Sequence, residues 1–156
     1  MSIALPPPSA GLATAILGFW QLVSREDFDA AGQRNIDPVL GADPLGVLCF
    51  APGRFAAQFS RRDRSGAAAA PPNSVAPGAN NSTAVNGYDA YFGTYTLNEG
   101  EGLVTVTLDA ALSPAGMGQS YTRRVRVATG VLFIQLDTTA ANGTPVTRTL
   151  RFSRVS

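Results

Sequence analysis

Four side chains of this sequence have the chemistry to polarise a carbonyl group: Tyr91, Tyr95, Tyr121 and Arg123. Phenol hydroxyls and guanidinium groups donate hydrogen bonds, and donors aimed at a developing oxyanion stabilise it. Tyr91 and Tyr95 flank Gly93, while Tyr121 and Arg123 are two positions apart, so each pair shares one face of an extended strand. The alternative for the two flanking tyrosines is a structural place in the core with satisfied hydroxyls.

Four further residues are predicted to line the same interior as ligand-binding groups. Phe55 and Phe59 share one face of a strand and form an apolar wall. Phe152 and Arg148 share the apolar face of the last strand, where Arg148 is a candidate polar group deep in the lumen. Together these residues favour a ligand that is mostly apolar.

Carboxylates complete the set of candidate polar groups. A buried arginine is costly unless it is paired, so Arg123 either pairs with an inward carboxylate such as Asp109 or meets an anionic or carbonyl group of a ligand. Asp89 and Asp109 both lie in strand segments, and an apolar lumen would raise the pKa of either and allow it to act as a general acid. Neither has the spacing of a paired-carboxylate site.

Absent residue types exclude several kinds of chemistry. The sequence has no histidine and no lysine, and all 12 basic residues are arginine. This excludes a Ser-His-Asp triad, a His-ligated metal and a lysine Schiff base. Cys49 is the single cysteine, so no intrachain disulfide forms. We therefore expect no metal and no cofactor, and the net charge of +1 predicts no nucleic-acid or membrane partner.

The elements that must position these residues are short alternating strands. Only 15% of the 156 residues are charged, which suits an apolar lumen inside a barrel. The fold class is predicted as all-β, a single antiparallel up-and-down barrel of about eight or nine strands. The strand segments are 17–25, 47–51, 54–60, 88–97, 103–112, 119–128, 131–137 and 145–155.

Two segments fall outside this pattern. Residues 1–16 are predicted to be a Pro-rich arm with a short helix, and residues 17–156 the barrel. The barrel contains a long loop, 62–86, which is either a solvated segment or a functional lid. Glu26 and Asp27 are predicted to lie in a loop after the first strand. The sequence has no convincing secretory signal and no apolar run of transmembrane length, so we expect a cytoplasmic protein.

Turns and aromatic residues follow one another in a distinctive order along residues 18–24, 40–46, 48–53, 61–64, 91–97 and 123–124. This order resembles the bacterial lipocalin-like domain family, a branch of the calycin-type small barrels. The resemblance covers roughly residues 17–155 and implies a barrel that binds an apolar small molecule. It also implies that Trp20, a ligand-binding candidate in the lumen, forms the barrel floor with Arg154 packed over its ring. Family members often carry a histidine pair where this chain has Val106 and Thr107.

Two functions from different classes fit these observations. One is a cofactor-independent cyclase or isomerase that folds an apolar polyketide- or terpenoid-like substrate into a reactive conformer. The other is a non-catalytic carrier or sensor that holds an apolar small molecule. A homodimer is a third, structural reading. The polar groups predicted in the lumen favour the enzyme.

Overall fold

The computed structural model of the protein describes residues 3–65 and 84–155. One helical turn, α1 (Leu12–Ala15), precedes the sheet, and a 3-10 turn (Pro114–Gly116) lies between the sixth and seventh strands. Within the described residues there are nine strands: β1 (Gly18–Phe28), β2 (Arg34–Asn35), β3 (Leu45–Ala51), β4 (Arg54–Ser60), β5 (Tyr88–Asn98), β6 (Leu103–Ala111), β7 (Ser120–Ala128), β8 (Val131–Thr139) and β9 (Pro145–Arg154).

The nine strands form one antiparallel sheet that closes on itself. Each strand from β3 to β8 pairs with the strand that follows it, and β1 pairs with both β3 and β9. This closes a barrel of eight strands, to which the short β2 adds at the end of β1. Tight turns make the connections, as at Thr129 and Gly130, where φ is +51° and +75°. The predicted all-β, up-and-down barrel is confirmed.

Strand alternation decides which side chains fill the interior. On β4, Phe55, Ala57 and Phe59 are buried, while Arg54 and Gln58 on the opposite face are exposed. Each strand contributes inward residues in this way, so one hydrophobic core runs through the barrel. The inward register predicted for β4 is confirmed.

The first strand is longer than the sequence predicts. Pairing with β9 carries β1 to Phe28, with Asp27 opposite Arg148, so Glu26 and Asp27 lie in the strand and not in a loop. The register also shifts between Leu22 and Ser24, which marks a β-bulge. The loop prediction for Glu26 and Asp27 is wrong because strand pairing and a buried ion pair override the low strand propensity of acidic residues.

The two ends of the barrel are closed differently. At one end, which we call the floor, Leu12 and Ile16 from the α1 segment pack into the core beside Trp20. At the other end, the loop between β2 and β3 places Leu40 in the same core with 2% of its surface exposed. The Arg61 guanidinium donates to the backbone oxygens of Pro38 and Val39 in that loop, at 3.1 and 3.2 Å.

The segment before α1 lies against the outer surface of the barrel. The side-chain amide of Gln135 donates to the Ile3 oxygen at 2.7 Å, and the Arg126 Nε donates to the Pro6 oxygen at 2.9 Å. The division of the chain at residue 16 stays a prediction. The predicted loop 62–86 lies outside the described residues between 66 and 83. Within the described part of the chain, no helix has the length and apolar character needed to cross a membrane.

Candidate functional site

The lumen contains an apolar chamber in the middle of the barrel. Its volume is about 40 Å³ for the centres of water-sized molecules, enough for roughly three waters. Aliphatic and aromatic side chains form nearly all of its wall, and Tyr91 and Arg123 supply its polar groups. The wall consists of Leu48, Phe50, Phe55, Ala57, Phe59, Tyr91, Val104, Val106, Arg123, Ile134, Leu150 and Phe152.

A smaller polar chamber adjoins it on the side away from the floor. Its volume, on the same measure, is about 30 Å³, or roughly two waters. Four residues line both chambers: Phe59, Tyr91, Arg123 and Leu150. The polar chamber adds Arg25, Asp89, Leu136 and Arg148. The lumen is therefore apolar toward the floor and ionic toward the opposite end.

Two ion pairs hold most of the buried charge at this polar end. Arg148 donates to Asp27 with both Nε and Nη2, at 2.8 and 2.9 Å, and both side chains are buried. Arg25 donates through Nη2 to Asp37 at 3.2 Å. Asp37 also accepts hydrogen bonds from the backbone N–H groups of Val39 and Leu40. Bidentate geometry and backbone donors are what make a buried ion pair tolerable.

Asp89 is the third carboxyl group at the polar end, and like Asp27 it is buried. It lies on the inward face of β5, two residues before Tyr91, with 5% of its surface exposed. Burial raises the pKa of Asp89 from 3.8 to about 7, although its hydrogen bond with the Ala90 backbone acts in the opposite direction. Near neutral pH this side chain is therefore present in both its acid and its carboxylate form.

Tyr91 and Arg123 stand where the two chambers meet. The Tyr91 ring packs against Phe55 and Phe59, with ring centroids 6.1 and 6.2 Å apart. The Arg123 guanidinium lies 5.1 Å from the ring centre of Tyr121, a cation–π contact that keeps it in place. Burial lowers the pKa of Arg123, which stays charged because an arginine titrates so far above neutrality.

Two of the four candidate catalytic residues thus meet at the cavity, and two do not. Tyr95 does not line either chamber; its ring packs edge-on against Phe50 at 4.9 Å. Tyr121 does not line them either, and it reaches the site through the guanidinium of Arg123.

The candidate ligand-binding residues divide in the same way. The apolar chamber is lined by Phe55, Phe59 and Phe152. Arg148 lines the polar chamber, where its guanidinium forms an ion pair with Asp27. Trp20 lines neither chamber because it is fully buried in the floor.

The inward placement of Asp109 is wrong. Its side chain is 43% exposed and pairs with Arg54 outside the barrel at 3.1 Å. Alternation from the buried Val104, Val106 and Leu108 already places Asp109 on the outer face of β6. A bulge begins at the same point, where Phe92 pairs with Ala110 but Gly93 pairs with Leu108, so Asp109 is also the extra residue of that bulge. Asp109 is therefore not the carboxylate that pairs with Arg123.

The floor has the geometry that the resemblance implies. The Arg154 guanidinium lies 4.2 Å from the Trp20 ring centre and donates to the backbone oxygens of Leu17 and Ala15. The Trp20 indole N–H donates to the Ile16 oxygen at 2.8 Å. These contacts close the barrel at the end opposite the polar chamber, so their role is structural.

Sequence reasoning missed Arg25, Asp27 and Asp37 as members of the polar end. Alternation counted from Trp20 and Leu22 places Ser24 and Glu26 inside, but the bulge shifts the phase and turns Arg25 and Asp27 inward. Opposite charges just past the predicted first strand and within the last strand, Asp27 and Arg148, are the signal from which this contact could have been found. Among the described residues, no three Cys, Asp or Glu side chains form a cluster that would hold a metal ion.

Comparison with protein families gives one match. A sequence model described as a lipocalin-like domain matches residues 17–155, which is nearly the whole chain. The comparison with curated proteins gives no match. The family match confirms the resemblance drawn from the order of turns and aromatic residues.

Proposed function

The chain belongs to the lipocalin-like domain family, and from this premise we propose that its lumen binds one apolar small molecule with a polar group and converts it by a cofactor-independent isomerisation or cyclisation. The observation that carries the proposal is the two-chamber cavity. An apolar wall meets Tyr91 and Arg123 at one point of the lumen. Such a cavity orients a molecule with its polar group toward these two donors.

The catalytic part of the proposal depends on what Tyr91 and Arg123 do to a carbonyl oxygen. A phenol hydroxyl and a guanidinium that both reach the oxygen stabilise negative charge as it develops there. Their neighbours already hold them: Phe55 and Phe59 pack on Tyr91, and Tyr121 lies against Arg123. Donors that do not need to reorganise are the effective ones, so the packing supports a catalytic role.

The size of the lumen limits the substrate. The two chambers, of about 40 and 30 Å³, are together smaller than the roughly 150 Å³ cavity that holds benzene. A polyketide- or terpenoid-like molecule needs more space. It enters only if the loop that carries Leu40 moves outward or the Phe59 and Tyr91 rings turn. A homodimer and a cytoplasmic location stay predictions from the sequence.

The alternative is a carrier that holds the same molecule without chemistry. Its support is that Arg148 and Arg25 are already neutralised by Asp27 and Asp37, so the polar end has a structural use independent of any reaction. The two functions differ in what Tyr91 contributes: the hydroxyl is essential to the enzyme and nearly irrelevant to the carrier.

The experiment is native mass spectrometry of the protein purified from its own host, with identification of the bound compound. The variant Tyr91→Phe is then compared with Tyr88→Phe, whose hydroxyl bonds Gln58 at the barrel surface. We expect Tyr91→Phe to bind within about threefold of wild type but to lose about 100-fold in turnover, since one oxyanion donor is worth that much. Tyr88→Phe serves as the control and should match wild type.

Two results would contradict the enzyme. A generic fatty acid recovered unchanged favours the carrier, and so does a Tyr91→Phe variant that transports or protects the compound as well as wild type does. A protein with no bound compound and no affinity for small apolar molecules would refute both functions.

A further inference from the structure

Asp89 differs from the other buried carboxyl groups of the lumen in its partners. Asp27 is held by Arg148 and Asp37 by Arg25, whereas no ion pair engages Asp89 anywhere in residues 3–65 and 84–155. Arg25 and Arg148 line the same chamber and act on the charge of Asp89, but desolvation by burial outweighs them. The charged form of Asp89 therefore has a free-energy cost that no direct ion pair offsets.

Its position relative to the cavity gives it a use. Asp89 and Tyr91 are two residues apart on the same face of β5, and both line the polar chamber together with Arg123. Because Tyr91 and Arg123 line both chambers, a ketone whose oxygen meets them can turn its α carbon toward the polar chamber that Asp89 lines. A base beside this carbon and donors beside the oxygen are the two requirements for enolisation.

We propose that Asp89 is the catalytic residue that moves a proton between two carbon atoms of a small apolar ketone, so that the substrate class is a β,γ-unsaturated ketone and the product its conjugated isomer. This inference rests on the proposed function, since it names the substrate class and the missing catalytic residue of that site. It selects isomerisation over cyclisation.

The step balances without a co-reactant. The Asp89 carboxylate takes a proton from the α carbon, and the electron pair of that C–H bond forms a carbon–carbon double bond while the carbonyl oxygen becomes an enolate. Tyr91 and Arg123 donate hydrogen bonds to this oxygen. Asp89 then returns the proton to the γ carbon, the carbonyl re-forms and the original double bond shifts into conjugation. Nothing is oxidised or reduced.

The protonation behaviour of Asp89 supports this role. Its burial raises its pKa to about 7, and a group that gives and takes the same proton works best when its pKa lies near the working pH. Arg25 and Arg148 lower this pKa and Asp37 raises it, all less than burial does. The other charged or titratable groups around the chamber are Asp27, Tyr91 and Arg123.

The test uses 3-cyclohexen-1-one, a β,γ-unsaturated ketone of only seven non-hydrogen atoms, which enters with the smallest outward movement of the loop that carries Leu40. Its conversion to 2-cyclohexen-1-one is followed by ultraviolet absorbance, and binding of both ketones is measured separately by ligand-observed NMR. Wild type is compared with Asp89→Asn and with the control Asp43→Asn, an exposed carboxylate paired with Arg62. We expect Asp89→Asn to lower kcat about 100-fold or more with binding within about threefold, and Asp43→Asn to match wild type.

Two outcomes separate the failures of the two proposals. If wild type binds the ketones but does not convert them, or Asp89→Asn converts them as fast as wild type, the role of Asp89 is refuted while binding in the lumen stands. If wild type binds neither ketone, both proposals fail for this substrate class. If Asp89→Asn does not fold, the pH profile of wild type decides. If Asp89 is the base, kcat/KM must rise with pH through an ionisation near pH 7, and a profile that is flat around pH 7 refutes the role of Asp89.

Discussion

Two carboxyl groups at the polar end of the lumen have pKa values that are shifted in opposite directions. The pKa of Asp37 is lowered, because Arg25 and the backbone N–H groups of Val39 and Leu40 together outweigh its desolvation. The pKa of Asp89 is raised, because desolvation dominates there. Asp37 thus contributes stability that is lost as the pH falls below about 4, whereas the carboxylate form of Asp89 costs stability at higher pH.

This difference gives a prediction for the variant Asp89→Asn. Between about pH 4 and 7, folded protein keeps a proton on Asp89 that unfolded protein has released, so the free energy of unfolding of wild type falls as the pH rises. Asp89→Asn has no such proton. We expect its stability relative to wild type to increase over this window, by at most about 4 kcal/mol for a shift of about three pKa units.

Urea unfolding at several pH values measures this effect. Asp43→Asn is the control, since its carboxylate is exposed, and its stability should follow the wild-type curve. Parallel curves for wild type and Asp89→Asn between pH 4 and 7 would show that Asp89 titrates normally.

At the scale of elements, β-bulges decide which side chains reach the cavity. The bulge in β1 turns Arg25 and Asp27 inward, and the bulge in β6 brings Ala111 instead of Ala110 against the core. Gly93 makes the second bulge feasible. A Cβ on Gly93 would overlap the Thr107 carbonyl oxygen and lie 2.8 Å from the Asp109 nitrogen. Only a residue without a side chain lets the two strands approach this closely.

We therefore predict that Gly93→Ala destabilises the barrel by about 1–3 kcal/mol or more, because backbone atoms of β6 must move to admit the methyl group. Gly100→Ala is the matched control: its Cβ would meet only the Asn98 side chain, at 3.7 Å. Thermal unfolding measures both. Equal melting temperatures for Gly93→Ala and wild type would mean that the bulge is not held by this close approach.

The same bulges explain which elements the sequence predicts well. Alternation gives the correct inward faces of β4, β7 and β9, because none of these strands carries the extra residue of a bulge. A bulge changes that register by one residue, and single-sequence periodicity has no signal for it. For this reason Phe55, Arg123 and Phe152 were placed correctly, whereas Arg25 and Asp27, which lie beyond the β1 bulge, were missed.

At the scale of the whole molecule, the barrel separates its structural end from its candidate chemical end. Trp20, Arg154 and the α1 segment close the floor with a cation–π contact and backbone hydrogen bonds. The ionic groups lie at the opposite end, beneath the loop that carries Leu40. A ligand that enters by displacing this loop leaves the floor intact, so binding does not require the barrel to open along a strand pair.

The pairing of β1 with β9 joins residues 18–28 to residues 145–154, and this has a consequence for how the chain reaches its native state. We call this pairing the seam. It cannot form in an early, local folding nucleus, because closing the long intervening loop costs entropy before the contacts between the two strands lower the free energy. We expect Trp20 fluorescence to reach its native value in milliseconds to seconds after dilution from denaturant, and a complete change within a submillisecond burst would contradict this order of events. During synthesis the translating ribosome must release β9 before the seam can form, so until then β1 presents an unpaired edge to other chains.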